Sequence, residues 1–129
     1  MTGTGGSSMD VLRARRLVAS ERTLVESALA DIDGAIRAEG ELQSQQAGDT
    51  SESGTEVAAE AVAMAVGDGL RRRLLEADRA AQRLDAGTYG RSVESGVPIP
   101  PDRLAADPLA ERTVDEQAAL DRRVGIAPG

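Results

Sequence analysis

The side chains able to do chemistry in this 129-residue chain are carboxylates and guanidinium groups, and they are unevenly placed. Between Ala38 and Leu70 stand seven acids and no base: Glu39, Glu41, Asp49, Glu52, Glu56, Glu60 and Asp68. The rest of the chain carries fifteen acids and fifteen bases, and every base is arginine. The formal net charge of −7 therefore belongs to one central segment. Phosphate backbones repel such a segment, so it is not expected to bind nucleic acid directly. A basic protein surface or a metal ion is the better electrostatic match.

Neither cysteine nor histidine occurs. Disulfides, thiolate sites and imidazole sites are excluded, and so are Ser-His-Asp and Cys-His mechanisms. The carboxylates form no recognisable set with a nucleophile or base, so a non-enzymatic protein is expected. Arg71-Arg72-Arg73 and the cluster Arg13, Arg15, Arg16 invite a nucleic-acid reading. They alternate with acids at helical spacing, as Arg72 does with Glu76, which favours surface ion pairs.

The elements that position these groups are mainly helical. One aromatic residue, Tyr89, serves the whole chain, so the core must be built from Leu, Val, Ile, Met and Ala. Residues 1–8 are rich in Gly, Ser and Thr and read as a disordered tail. Ser7, with Asp10 three residues on, reads as a helix cap. The first helix is expected from about Met9 to Arg37. Val11, Val18, Val25 and Ile32 recur every seven residues, and Leu17, Leu24, Ala28, Leu29 and Ile36 widen the stripe. Gly34 and Gly40 weaken its end. The polar stretch 40–54 reads as a loop inside an acidic tip spanning 38–56.

A second helix is expected from about Thr55 to Ala86, capped by Ser53 or Thr55. Leu70, Leu74, Ala77, Ala81 and Leu84 form its seam, and Val57, Ala61, Met64 and Val66 continue a small apolar face. Gly67 and Gly69 predict a soft spot or kink, and Gly87 a C-terminal cap. Two such helices make an antiparallel hairpin, or coiled coil, over residues 9–87. Residues 87–101 hold three glycines and three prolines, which predicts turns and very short strands. Pro101 opens a short helix to Ala106, and Thr113 opens a last one to about Val124. No apolar run approaches the roughly 18 residues that mark a membrane span, and no signal-peptide pattern is present. A cytoplasmic protein without a membrane partner is expected.

The stretch from Thr88-Tyr89-Gly90 through Gly96-Val97-Pro98-Ile99, Arg103-Leu104-Ala105-Ala106-Asp107-Pro108-Leu109-Ala110 and on to Gln117 resembles the carboxy-terminal signature of the TraR/DksA family. The match is specific over about residues 84–117. In that family two Cys-x-x-Cys pairs bind zinc. Here Ser92, Ser95, Thr113 and Glu116 stand at the four ligand positions, with seventeen residues between Ser95 and Thr113. The resemblance implies a long helical hairpin with a small globular module at its base, here residues 88–129 as a degenerate zinc finger. It implies RNA polymerase as partner, reached through the secondary channel, with acidic tip residues directed towards the active centre. The family's tip motif falls in register on Asp49, Glu52 and Gly54, where Gly54 replaces an alanine. Asp107 stands where an alarmone-binding member carries a basic residue, so alarmone dependence is not carried over.

Neutral hydroxyls are poor zinc ligands, so no cofactor is expected. Thr113 and Glu116 instead have capping-box spacing, and Ser92 and Ser95 can satisfy backbone amides of the turn. Val97, Ile99, Leu104, Leu109 and Val114 are expected to form the module's apolar cluster, with Tyr89 packed where module and hairpin join. The alternative is a diverged adaptor that kept the hairpin, lost polymerase binding and self-associates through its Ala-rich face.

Overall fold

The computed structural model describes residues 10–45 and 53–125. The expectations placed on residues 1–8, on Ser7 as a cap, and on Asp49 and Glu52 fall outside these residues. Four helices follow in order: α1 Val11–Gln45, α2 Ser53–Ala86, α3 Pro101–Ala106 and α4 Val114–Arg123. The architecture is mainly α, with α1 and α2 paired as a hairpin. Among the described residues the only β pairing is an isolated antiparallel bridge between Arg91 and Pro98, in place of the expected short strands.

Helix α1 starts on Asp10, whose Oδ1 accepts from the Leu12 amide at 3.0 Å while its carbonyl accepts from Ala14 at 2.8 Å. The helix runs eight residues past the expected end at Arg37 and passes through Gly34 and Gly40. A helical glycine costs only about 1 kcal/mol, too little to end a helix by itself. Likewise α2 starts at Ser53 and continues unbroken through Gly67 and Gly69. It ends as expected at Gly87, where φ is +78°. The Thr88 amide reaches back to the Arg83 carbonyl at 2.9 Å and the Gly87 amide to Leu84 at 3.3 Å. This pair of bonds satisfies carbonyls that the helix end would leave open.

The chain divides into two compact units. A composite unit joins the start of α1, up to Glu21, with everything from Ala77 onward; an arm unit comprises Arg22–Glu76. In the composite unit Ala14, Val18, Ala77, Ala80, Leu84 and Leu109 form one buried cluster, and Ile99, Leu104 and Ala110 form a second. Tyr89 packs against both. Ile99, Leu104 and Leu109 are the largest fully buried side chains, each stabilising by roughly 1.5–3 kcal/mol through area removed from water.

In the arm unit Val25 and Gly67 are the buried residues among those described. Arg71 bridges its two helices, reaching Asp33 at 2.9 Å and Asp68 at 3.2 Å.

Several apolar residues expected inside lie outside. Val11, Leu24, Val57, Ala61, Met64 and Val66 are exposed. Val11 occupies the first helical position, before the seam begins at Ala14. Leu24 sits beside Val25, which takes the inward position. Val57, Ala61 and Met64 share a face of α2 turned about a quarter of a turn from Gly67, which faces Ile32 and Leu29. In the module, Val97 and Val114 are exposed, and Ala110 takes their place. Val97 follows the left-handed turn at Gly96, and Val114 is the first residue of α4. No described helix is long and apolar enough to cross a membrane.

Candidate functional site

The four positions aligned with metal ligands come together through hydrogen bonds. Ser92 is buried, and its hydroxyl oxygen accepts from the amides of Glu94 at 3.1 Å and Ser95 at 3.3 Å. Its own amide donates to the Val97 carbonyl at 2.8 Å, and its carbonyl accepts from Gly96 at 2.9 Å. Gly96, at φ +77°, supplies the left-handed step that lets the chain turn so tightly. The Ser95 hydroxyl accepts from the Val97 amide at 3.4 Å and donates to Glu116 Oε2 at 2.6 Å.

Glu116 closes the set from α4. Its Oε1 accepts from the Thr113 amide at 2.9 Å, while Thr113 Oγ1 accepts from the Glu116 amide at 3.2 Å. This is the capping box expected from the spacing. The Ser95 hydroxyl, the Thr113 amide and the Ser92 hydroxyl together hold the Glu116 carboxyl down at about 2. Its charge also faces the first turn of α4, where the helix dipole favours an anion.

This donor set does not fit zinc. Three of its members are neutral hydroxyls already engaged with amides, and both oxygens of the only carboxylate are committed. Tetrahedral zinc sites are built from thiolate, imidazole and carboxylate donors. The hydrogen bonds instead join the 92–97 turn to the start of α4, two segments far apart in sequence.

A second network, centred on Glu111, leaves no mark in the sequence pattern. Arg79 donates to it through Nε at 2.7 Å and Nη2 at 3.4 Å, and Arg83 through Nη1 at 3.0 Å. Burial pushes the Glu111 carboxyl up, but the hydrogen bond and charge of Arg79 and the charges of Arg83 and Arg112 outweigh it and hold the group below its ordinary value. The Glu111 carbonyl also accepts from the Val93 amide at 2.9 Å, so one residue grips the turn and α2 together. Arg112 lies 3.8 Å from Glu111 and donates through Nε to Glu94 at 2.6 Å. Arg103 Nε donates to the Arg112 carbonyl at 2.6 Å, tying in α3. No local spacing signals Glu111, because its partners lie 28 and 32 residues away.

Arg79, Arg83 and Arg112 border an open cleft of about 630 Å³. Glu111 and Glu94 largely balance their charge, so the cleft is not a strongly cationic site. Arg83 Nη2 is buried there without a hydrogen-bond partner.

Tyr89 stands as expected. It is half-buried, its hydroxyl donates to the Pro108 carbonyl at 2.7 Å, and burial raises its pKa, outweighing the lowering by Arg83. Of the tip residues, Gly54 lies in the first turn of α2, while Asp49 and Glu52 belong to the stretch 46–52 outside the described residues.

No protein-family model matches the chain, and no curated protein sequence does. Among solved structures it is similar to the transcription factor DksA2 from Pseudomonas aeruginosa, with a TM-score of 0.74 over 89% of this chain and 85% of that one. The fold is of the DksA type. Identity between the two is 20%, so the likeness concerns architecture and not individual residues. Within this DksA-type fold the Ser92, Ser95, Thr113 and Glu116 cluster fills the place where the sequence resemblance put the metal.

Proposed function

We propose that this chain is a non-enzymatic transcription regulator that binds RNA polymerase through the secondary channel. The observation that carries this reading is the DksA-type fold, shared over most of the chain with a protein that is itself a transcription factor. The charge pattern supports it, since all the net charge falls between Ala38 and Leu70, within the arm unit. In this reading Asp49 and Glu52 act electrostatically on the active centre. Gly54 lacks the methyl group that the family motif supplies at that position. The protein works in the cytoplasm and without a metal cofactor.

The test is binding to purified core RNA polymerase in competition with a known secondary-channel factor. Competition is the expected result; absence of binding at tens of micromolar rejects the reading. The double variant Asp49→Asn, Glu52→Gln should bind but lose its effect on transcription. If that effect persists, the tip has no active-centre role.

A second reading, a self-associating adaptor, draws on the exposed Leu24, Val62, Met64 and Leu75 of the arm. Light scattering that finds a stable dimer, together with failed competition, favours it.

A further inference from the structure

The cleft beside Glu111 lies wholly within the composite unit, and its charges do not quite cancel. Arg79, Arg83 and Arg112 border it, and their carboxylate partners are Glu111 and Glu94. Three guanidinium groups against two carboxylates leave one positive charge over. Arg123 adds little, since it is largely exposed and stands 3.8 Å from Glu94.

The Glu111 carboxylate is also unevenly shared. Its Oε2 accepts from Arg79 Nε at 2.7 Å and from Arg83 Nη1 at 3.0 Å, while its Oε1 takes a longer bond from Arg79 Nη2 at 3.4 Å. Arg83 Nη2 is buried with no acceptor, which is a costly state for a donor. Arg79 thus engages the oxygen that could complete Arg83. The two arginines differ in reach: the Arg79 side chain is 50% exposed and that of Arg83 12%. An acceptor arriving from solvent meets Arg79 first.

The walls narrow the choice of ligand. Val93 and Ala86 line the cleft as exposed apolar surface. The cleft is open, whereas sites for small molecules bury most of the ligand. A side chain carried on a protein surface suits it better. The two resident carboxylates repel a phosphate chain, so one negative charge is what the cleft accepts.

We propose that this cleft docks one aspartate or glutamate side chain of a protein partner, next to an aliphatic residue that covers Val93 and Ala86. The incoming carboxylate accepts from Arg79. Glu111 Oε1 is then released to Arg83 Nη2, which turns the Arg83–Glu111 contact into a two-bonded pair. Such forked pairs are among the stronger hydrogen-bonded contacts. Docking therefore satisfies the orphan donor and keeps α2 tied to Glu111. The inference does not depend on polymerase being that partner.

The test is a nuclear magnetic resonance titration of the isotope-labelled full chain with acetyl-Gly-Leu-Glu-Gly-amide and with the same peptide carrying Gln for Glu. The Glu peptide should give saturable shifts at the Arg79 Nε–H and at the Thr88 and Val93 amides, and should move the Arg83 Nε–H signal as Glu111 re-pairs. The Gln peptide should bind at least about 10-fold more weakly. Arg79→Gln should abolish the shifts, while Arg15→Gln, at an arginine outside the cleft, should leave them. No saturation by about 20 mM Glu peptide overturns the proposal, and so does equal binding of the Gln peptide. Inorganic phosphate is the last arm. If it displaces the Glu peptide at equal concentration, the cleft is a site for free anions and the protein partner is rejected.

Discussion

In the composite unit, Ala14, Val18, Ala77, Ala80 and Leu84 close α1 and α2 against Leu109 and Tyr89. In the arm unit, the same two helices continue with only Val25 and Gly67 buried among the described residues, and with Arg71 spanning between them. The composite stretch is held by tertiary packing and by contacts to residues far along the chain. The arm stretch depends more on local helix propensity and on partly exposed ion pairs, each worth little in water. A single helix can thus be rigid over one length and yielding over the next, because what it packs against changes along it.

The largest expected effect tests the packing side of this contrast. Leu104→Ala should lower stability by about 2–5 kcal/mol, because a fully buried side chain leaves a cavity. Leu24→Ala, on an exposed leucine of the arm, should fall within about 0.5 kcal/mol of the parent. Urea unfolding of both variants measures the difference, and comparable losses would abolish the distinction between the units.

Next in size is Glu111→Gln. Removing its charge leaves Arg83, whose side chain is 12% exposed, without an anionic partner, at a cost of about 1–3 kcal/mol. The same denaturant titration reads this loss. A neutral result would mean that Arg79, Arg83 and Glu111 only decorate a core that stands without them.

A smaller effect concerns pH. Glu116 titrates near 2 in the folded chain, well below an ordinary carboxyl. The unfolded chain therefore takes up its proton first on acidification. The stabilisation is present above the ordinary carboxylate range and is lost as pH falls towards 2. Thermal melts of Glu116→Gln and the parent across that range should converge towards the acid end. Parallel curves would show that the carboxylate does not support the fold.

The smallest expected effect is none. Zinc-built modules of this size draw much of their folding energy from the metal and unfold when it is chelated. Here prolonged EDTA treatment should leave the melting temperature of the composite unit unchanged. A drop would expose a metal held by donors other than Ser92, Ser95, Thr113 and Glu116.

Much of this could be read from sequence where the signal was local. Pro101 at the first helical position, the Thr113 and Glu116 spacing and Gly87 as a terminator each correspond to the element found. The helical hairpin followed from periodicity, and the DksA-type fold agrees with the resemblance carried by residues 84–117. Ser92 and Ser95 satisfy backbone amides as their chemistry suggested. What was lost was long-range or ambiguous. Glu111 looks like any other surface acid until Arg79 and Arg83 are folded against it. Val57, Met64 and Leu24 look internal in the sequence because alanines occur on every face of these helices and leave the apolar frame undetermined. The sequence marks the α1 end too early, because Gly34 and Gly40 each carry a helix penalty that continuation of the helix outweighs.

Tyr89 touches both buried clusters and hands its hydroxyl to Pro108. It is also the only aromatic side chain in the protein. Every near-ultraviolet signal from this molecule therefore originates at one point, where α2, the turn and α3 converge. Tyrosine emission and absorbance report the loosening of that junction with no contribution from the arm, while far-ultraviolet ellipticity is dominated by the long helices. Following the two signals through one unfolding experiment separates the two units optically, with no label attached.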